Sequence, residues 1–338
     1  MGTRLHVDEK LARGLTMAEV RAVLRAGRGA VSGSVKDPWH PVRVAFKPVA
    51  FRYETGRRPD ARYVDELLDR FDAHYGSAAG TVHREVVEGE VQEGLRARGR
   101  RFLVMVPSTD DPYCRSLLVS CVSLDVRARC LTLIQVPLFE IEMHAVERFH
   151  LRTRGGLVRE ALGAFGGAIL RDVGLYKAMA EFSDGLPNKA FAMPFADGLL
   201  MGHACPVHPA AMPPYLDTNF FDDRPRRLDK LMLGGDESCR VATFYGPLEL
   251  DPGQRLLRDG LVEIAGRNAA YLRDHADGLT APALLMDRIG SARSDFDRFE
   301  RGKRELRRQL QSLMAMPGMD KALGGGRTGT VTRPPPRS

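Results

Sequence analysis

Apolar and polar positions alternate along the chain with two different periods, and the places where the period changes mark the predicted elements. Over 62–75 the apolar residues Tyr63, Leu67, Leu68 and Phe71 fall on one side of a 3.6-residue repeat. That stripe predicts an amphipathic helix covering a sheet. Runs at 101–107, 115–124 and 129–137 are short, apolar and separated by turn-forming residues, which predicts three strands. Connectors this short make the strands antiparallel, because a parallel pairing needs a crossover of a dozen residues or more. Helices are expected at 140–154 and, interrupted by glycines, at 156–182. Asp197-Gly198 between the apolar runs 189–194 and 199–204 predicts a hairpin, and 240–245 reads as a further strand. Asp251-Pro252 opens a helix expected to reach 276, since an aspartate caps free backbone N–H groups and a proline sets the first helical φ. Nearer the start, Thr16-Met17-Ala18-Glu19 has the form of a capping box and predicts a short helix, while 42–53 alternates like a strand.

Together these elements predict an α+β fold in which antiparallel strands are covered by helices. The expected organisation is an N-terminal α+β region over 1–137, a second α+β region over 138–285, a charged C-terminal helix over 286–323 and a disordered tail over 324–338. Glycine and proline dominate the tail, which buries too little apolar surface to fold.

Composition fits a globular protein, with 43% hydrophobic and 28% charged residues over 338 positions. No apolar run approaches the roughly 18 residues that cross a bilayer, and Met1 to His6 lack the apolar core of a signal peptide. A soluble cytoplasmic protein with no membrane partner is expected. The five cysteines, Cys114, Cys121, Cys130, Cys205 and Cys239, form no Cys-x-x-Cys pair and are expected to be reduced thiols. His203, Cys205 and His208 offer three ligands where a structural zinc site takes four, so no metal is expected. No glycine pattern fits a nucleotide loop, and no cofactor is expected.

The net charge of +7 is unevenly spread, at +7 over 1–58, −6 over 59–286 and +6 over 287–338. Two basic clusters are candidates for RNA or DNA phosphates: Arg98, Arg100 and Arg101 at a strand, and Arg301, Lys303, Arg304, Arg307 and Arg308 on the last helix. A solvated charged helix face produces the same pattern.

The segment richest in chemistry runs from Glu140 to Arg154. If it is all helix, Glu140, His144, Glu147 and Arg148 share one face. A histidine among carboxylates and arginines can move a proton near neutral pH while a guanidinium holds a phosphate. A surface helix laced with ion pairs has the same spacing. His144-Ala145-Val146-Glu147-Arg148, with Arg152 four residues on, resembles the His-Ala-x-Glu-Arg helix of small bacterial RelE/BrnT-like domains. Val241-Ala242-Thr243-Phe244-Tyr245 resembles the late strand of that group. The resemblance implies a ribonuclease-toxin scaffold with His144, Glu147, Arg148 and Arg152 near the functional face. Two functional classes follow. One is a nucleic-acid-acting protein that uses His144 as acid or base, Glu147 to orient it and Arg148 or Arg152 on phosphate. The other is a non-catalytic interaction protein whose basic last helix docks a protein partner.

Overall fold

The computed structural model describes residues 18, 19, 22, 61–76, 81–92, 95–107, 116–126, 131–152, 158–186, 188–206, 237–280 and 293–324. The strand expected at 42–53, most of the helix expected after Thr16, and the tail beyond 324 lie outside the described residues. The fold is mixed α+β, as the sequence predicts. Its elements run α1 (Ala61–Gly76), β1 (Thr81–Gln92), β2 (Leu95–Pro107), β3 (Ser116–Val126), β4 (Leu131–Glu142), α2 (Met143–Arg152), α3 (Val158–Asp184), β5 (Ala190–Phe195), β6 (Gly198–Pro206), β7 (Glu237–Tyr245), α4 (Pro252–Arg267), α5 (Ala269–Thr280), α6 (Arg293–Met314) and α7 (Met319–Gly324).

Seven strands form one sheet in the order β1-β2-β3-β4-β7-β6-β5. The first four make the antiparallel meander that short connectors require. The last three are also antiparallel neighbours, and the two sets join where β7 lies parallel to the end of β4, with Glu140 opposite Arg240 and Ile141 opposite Val241. The expected boundary at 137/138 falls inside β4, so one sheet draws strands from both of the regions outlined above.

Alternation along β3 sorts its residues onto two cores. Leu117, Val119 and Cys121 enter the main core, beneath α2 to α7, while Val122, Leu124 and Val126 enter a smaller core under α1. α1 fills that second core with Leu67, Leu68, Phe71 and Tyr75, whose rings meet Phe102 of β2 at centroid distances of 5.5 Å. Phe102 is fully buried, and its truncation to alanine would cost on the order of 3–5 kcal/mol. A bulge opposite the Val119–Ser120 step turns both Leu138 and Phe139 into the main core. Beyond it Ile141 points inward, so Glu140 and Glu142 face outward.

The hairpin forms where Asp197-Gly198 predicts it, with Phe195 opposite Gly198 and Ala196 in the left-handed region at φ 48. A side chain on Gly198 would collide with the Tyr245 carbonyl and the Phe244 ring, so glycine lets β7 come this close. Asp251 caps α4 as expected: its side chain accepts from the Gln254 N–H at 2.8 Å, and Gln254 accepts from the Asp251 N–H at 3.2 Å. The helix expected over 251–276 breaks into two at Asn268, whose amide donates back to the Ile264 carbonyl at 2.8 Å. Among the described residues no helix is long and apolar enough to cross a membrane.

Candidate functional site

α2 starts directly after β4 and buries Met143, Ala145, Val146 and Phe149 against the main core. The stripe fixes the helix rotation and turns His144, Arg148 and Arg152 along the opposite ridge. The His144 side chain is 47% exposed and its Nδ1 lies 3.7 Å from a carboxylate oxygen of Glu147, whose side chain is 10% exposed. One turn on, Arg148 donates to the Thr243 hydroxyl at 3.2 Å and sets its guanidinium over the Tyr245 ring, 5.5 Å from the centroid. Arg152 donates to the Arg148 carbonyl at 3.3 Å. The two pieces read separately in the sequence, 144–152 and 241–245, are therefore in direct contact.

Both arginines also share one carboxylate. Arg152 hydrogen-bonds Glu249, Arg148 comes within 3.7 Å of it, and the other carboxylate oxygen accepts the Gly246 N–H at 3.0 Å. Partial burial alone would raise the Glu249 carboxyl. The hydrogen bonds from Arg152 and Gly246, with the charges of Arg152 and Arg148, hold it below the usual carboxylate range instead. Gly246 gives the Arg152 stem its room, since a Cβ there would sit 3.0 Å from the arginine side chain. Glu249 is the partner that sequence reasoning misses. It lies in the four-residue turn Gly246-Pro247-Leu248-Glu249, about 100 positions from the helix it holds.

Glu140 does not share this face. The helix expected from 140 begins at Met143, because β4 continues to Glu142 where it pairs with β7. Glu140 stands on the outer side of the sheet, accepting from the Ser116 hydroxyl and twice from Arg240, at 3.0 and 2.7 Å. Glu142, His203 and Cys205 feel the charges of this pair. Burial raises Glu142 despite Arg240 nearby, lowers His203 together with the charge of Arg240, and raises the Cys205 thiol. Among the described residues no three metal-ligating side chains converge, and His208 lies outside them.

The two basic clusters fare differently. Arg98 pairs with Asp65 and Arg100 with Asp72 at 2.9 Å, both acids on α1, while Arg101 is buried and reaches Glu85 at 3.2 Å. These guanidiniums tie the sheet to α1 and β1. On α6, Phe299, Leu306, Leu310 and Leu313 face the body of the protein, and Arg301, Arg304, Arg307 and Arg308 stay exposed. Lys303 bridges to Glu181 of α3 at 3.2 Å, and Arg308 is held by Glu305 at 2.9 and 2.6 Å.

Between α3, α5 and α6 lies a small cavity lined by Glu181, Tyr271, His275 and Lys303. His275 is buried, stacks on Phe299 with ring centroids 5.7 Å apart, and sits 3.4 Å from the Tyr271 hydroxyl. Burial, with the charges of Lys303 and Lys177, pulls its pKa down to about 4. Comparison of the chain with protein-family profiles, with curated proteins and with solved structures finds no match.

Proposed function

We propose that this is a cytoplasmic nucleic-acid-acting protein whose α2–β7 ridge works on RNA phosphodiesters in the manner of a ribonuclease toxin. The observation that carries the reading is the single row formed by His144, Arg148 and Arg152, with Glu147 behind the imidazole and Tyr245 under a guanidinium. In this reading the neutral imidazole of His144, oriented by Glu147, takes the proton of a ribose 2′-hydroxyl. The 2′-oxygen attacks the adjacent phosphorus, and the 5′-oxygen departs with a proton from solvent. Arg148 and Arg152 neutralise the charge that gathers on the phosphate oxygens. Tyr245 offers an aromatic surface beside them, and stacking of this kind accepts any base. The exposed Arg301, Arg304 and Arg307 add sequence-independent attraction for the strand. The free thiols Cys121, Cys205 and Cys239 suit a reducing compartment where RNA is at hand.

The test is cleavage of single-stranded RNA by the full chain and by His144→Ala. His144 is half exposed, so the variant should keep its fold while losing about 10²- to 10⁴-fold in rate. Cleavage that survives the substitution, or RNA left intact by the wild-type protein, overturns the reading.

A second reading is favoured by the hold of Glu249 on both arginines, which equally suits a helix anchored as part of a non-catalytic interaction protein. It predicts that His144→Ala leaves partner binding untouched.

A further inference from the structure

The arrangement around Glu249 has the parts of an anion site. Two guanidiniums from α2 and the Gly246 N–H converge on the Glu249 carboxylate, and the Thr243 hydroxyl steadies one of those guanidiniums by accepting from Arg148. A carboxylate and a phosphate present similar oxygens to arginine, and guanidinium forks accept both. Each guanidinium has a second contact besides Glu249. Arg148 is fixed by Thr243 and the Tyr245 ring, and Arg152 by the Arg148 carbonyl. Each guanidinium therefore keeps one tether when the carboxylate leaves. The Glu249 side chain is 35% exposed and sits on a turn whose neighbouring Leu248 is 95% exposed, so a ligand can reach the carboxylate from solvent.

We propose that Arg148, Arg152 and the Gly246 N–H form a phosphate-binding cradle, with Thr243 holding Arg148, and that the Glu249 carboxylate occupies the phosphate position until a phosphate or phosphodiester displaces it. The inference rests on the function proposed above, and names both the group that the substrate must evict and the backbone donor that receives it. Glu249 thereby acts as an internal competitor. It lowers affinity for free phosphate species and demands that a ligand bring enough additional contacts, such as a base on Tyr245, to win the exchange.

The experiment titrates inorganic pyrophosphate, and separately a short 2′-O-methyl single-stranded RNA, into the full chain, into Glu249→Gln and into Glu249→Gln/Arg152→Met. The glutamine removes the negative charge at nearly constant shape. Pyrophosphate is expected to bind Glu249→Gln about tenfold more tightly than wild type, and the added Arg152→Met to abolish that gain. Equal affinity of wild type and Glu249→Gln for pyrophosphate overturns the cradle, whatever RNA does. If pyrophosphate binding tightens while RNA binds none of the variants, the cradle stands and the RNA function falls. If wild type binds the 2′-O-methyl RNA and cleaves unmodified RNA while Glu249→Gln shows no gain, the function stands and the cradle falls. Should Glu249→Gln lose its native circular dichroism, Glu249→Asp replaces it, because the shorter side chain withdraws the carboxylate from Arg152. Tighter pyrophosphate binding by that variant supports the cradle, and unchanged binding overturns it.

Discussion

The arginines of β2 and those of α2 look alike in the sequence and end in opposite situations. Arg98 and Arg101 find Asp65 and Glu85, and Arg100 shares Asp72 with Arg84, all on the elements packed against their strand. Arg148 and Arg152 divide Glu249 between them on a ridge where both remain partly exposed. The first group is tied into the fold by these bridges and becomes part of it. The second gathers two guanidiniums on one carboxylate at the surface, next to His144 and its partner Glu147. Density of basic residues along the chain therefore says less about ligand binding than the partners and elements the fold brings to them.

The histidines repeat the contrast, and give the largest expected effect. His275 is buried with a pKa near 4, against 6.5 for the ordinary residue. Above about pH 6.5 neither the folded nor the unfolded chain protonates it, so its contribution is complete there. As pH falls from 6.5 toward 4 the unfolded chain takes up a proton that the folded one refuses, and stability drops by about 3 kcal/mol. Denaturant titrations at pH 7 and pH 4.5 should show about 2 kcal/mol of this loss, and His275→Phe should remove that part of the pH dependence. An unchanged pH slope in that variant would mean His275 is not the group responsible.

Arg101→Met comes next. It removes a buried guanidinium from Glu85, which keeps some access to solvent, and should cost about 2 kcal/mol in urea unfolding while leaving RNA affinity unchanged. Arg152→Met should do the reverse, with a stability loss under about 1 kcal/mol and RNA binding weakened about tenfold. If both variants lose stability and neither loses RNA, the distinction between the two groups collapses. The smallest structural effect belongs to α6. Replacing Arg301, Arg304 and Arg307 together by glutamine should change stability by no more than about 0.5 kcal/mol and reduce the salt slope of RNA binding by about 2 to 3, with the cleavage rate at saturation unaltered.

What the sequence reveals follows the range of the forces involved. The α1 stripe, the antiparallel meander, the hairpin at Gly198 and the cap at Asp251 are local patterns, and the structure shows each of them. β1 escapes notice because it is an edge strand rich in His83, Arg84, Glu85 and Glu88, with Val86 and Val91 half exposed. The end of β4 reads as helix because Glu140 and His144 stand four apart, and pairing with β3 and β7 keeps Glu140 extended. The same distance hides Glu249 and Arg240. Their partners on α2 and β4 lie about 100 positions away, and no periodicity records such a meeting. His144, Glu147, Arg148 and Arg152 could be placed on one helix from spacing alone, but the acid that engages the two arginines could not.

The most direct measurement is an NMR titration of the full chain, with histidine and tyrosine rings isotope-labelled, against a short 2′-O-methyl single-stranded RNA that cannot be cleaved at the 2′-oxygen. Resonances of His144 and Tyr245 are predicted to shift in step with binding while those of His275 stay in place. Saturating RNA with His144 and Tyr245 unmoved would contradict the assignment of the α2–β7 ridge as the phosphodiester site.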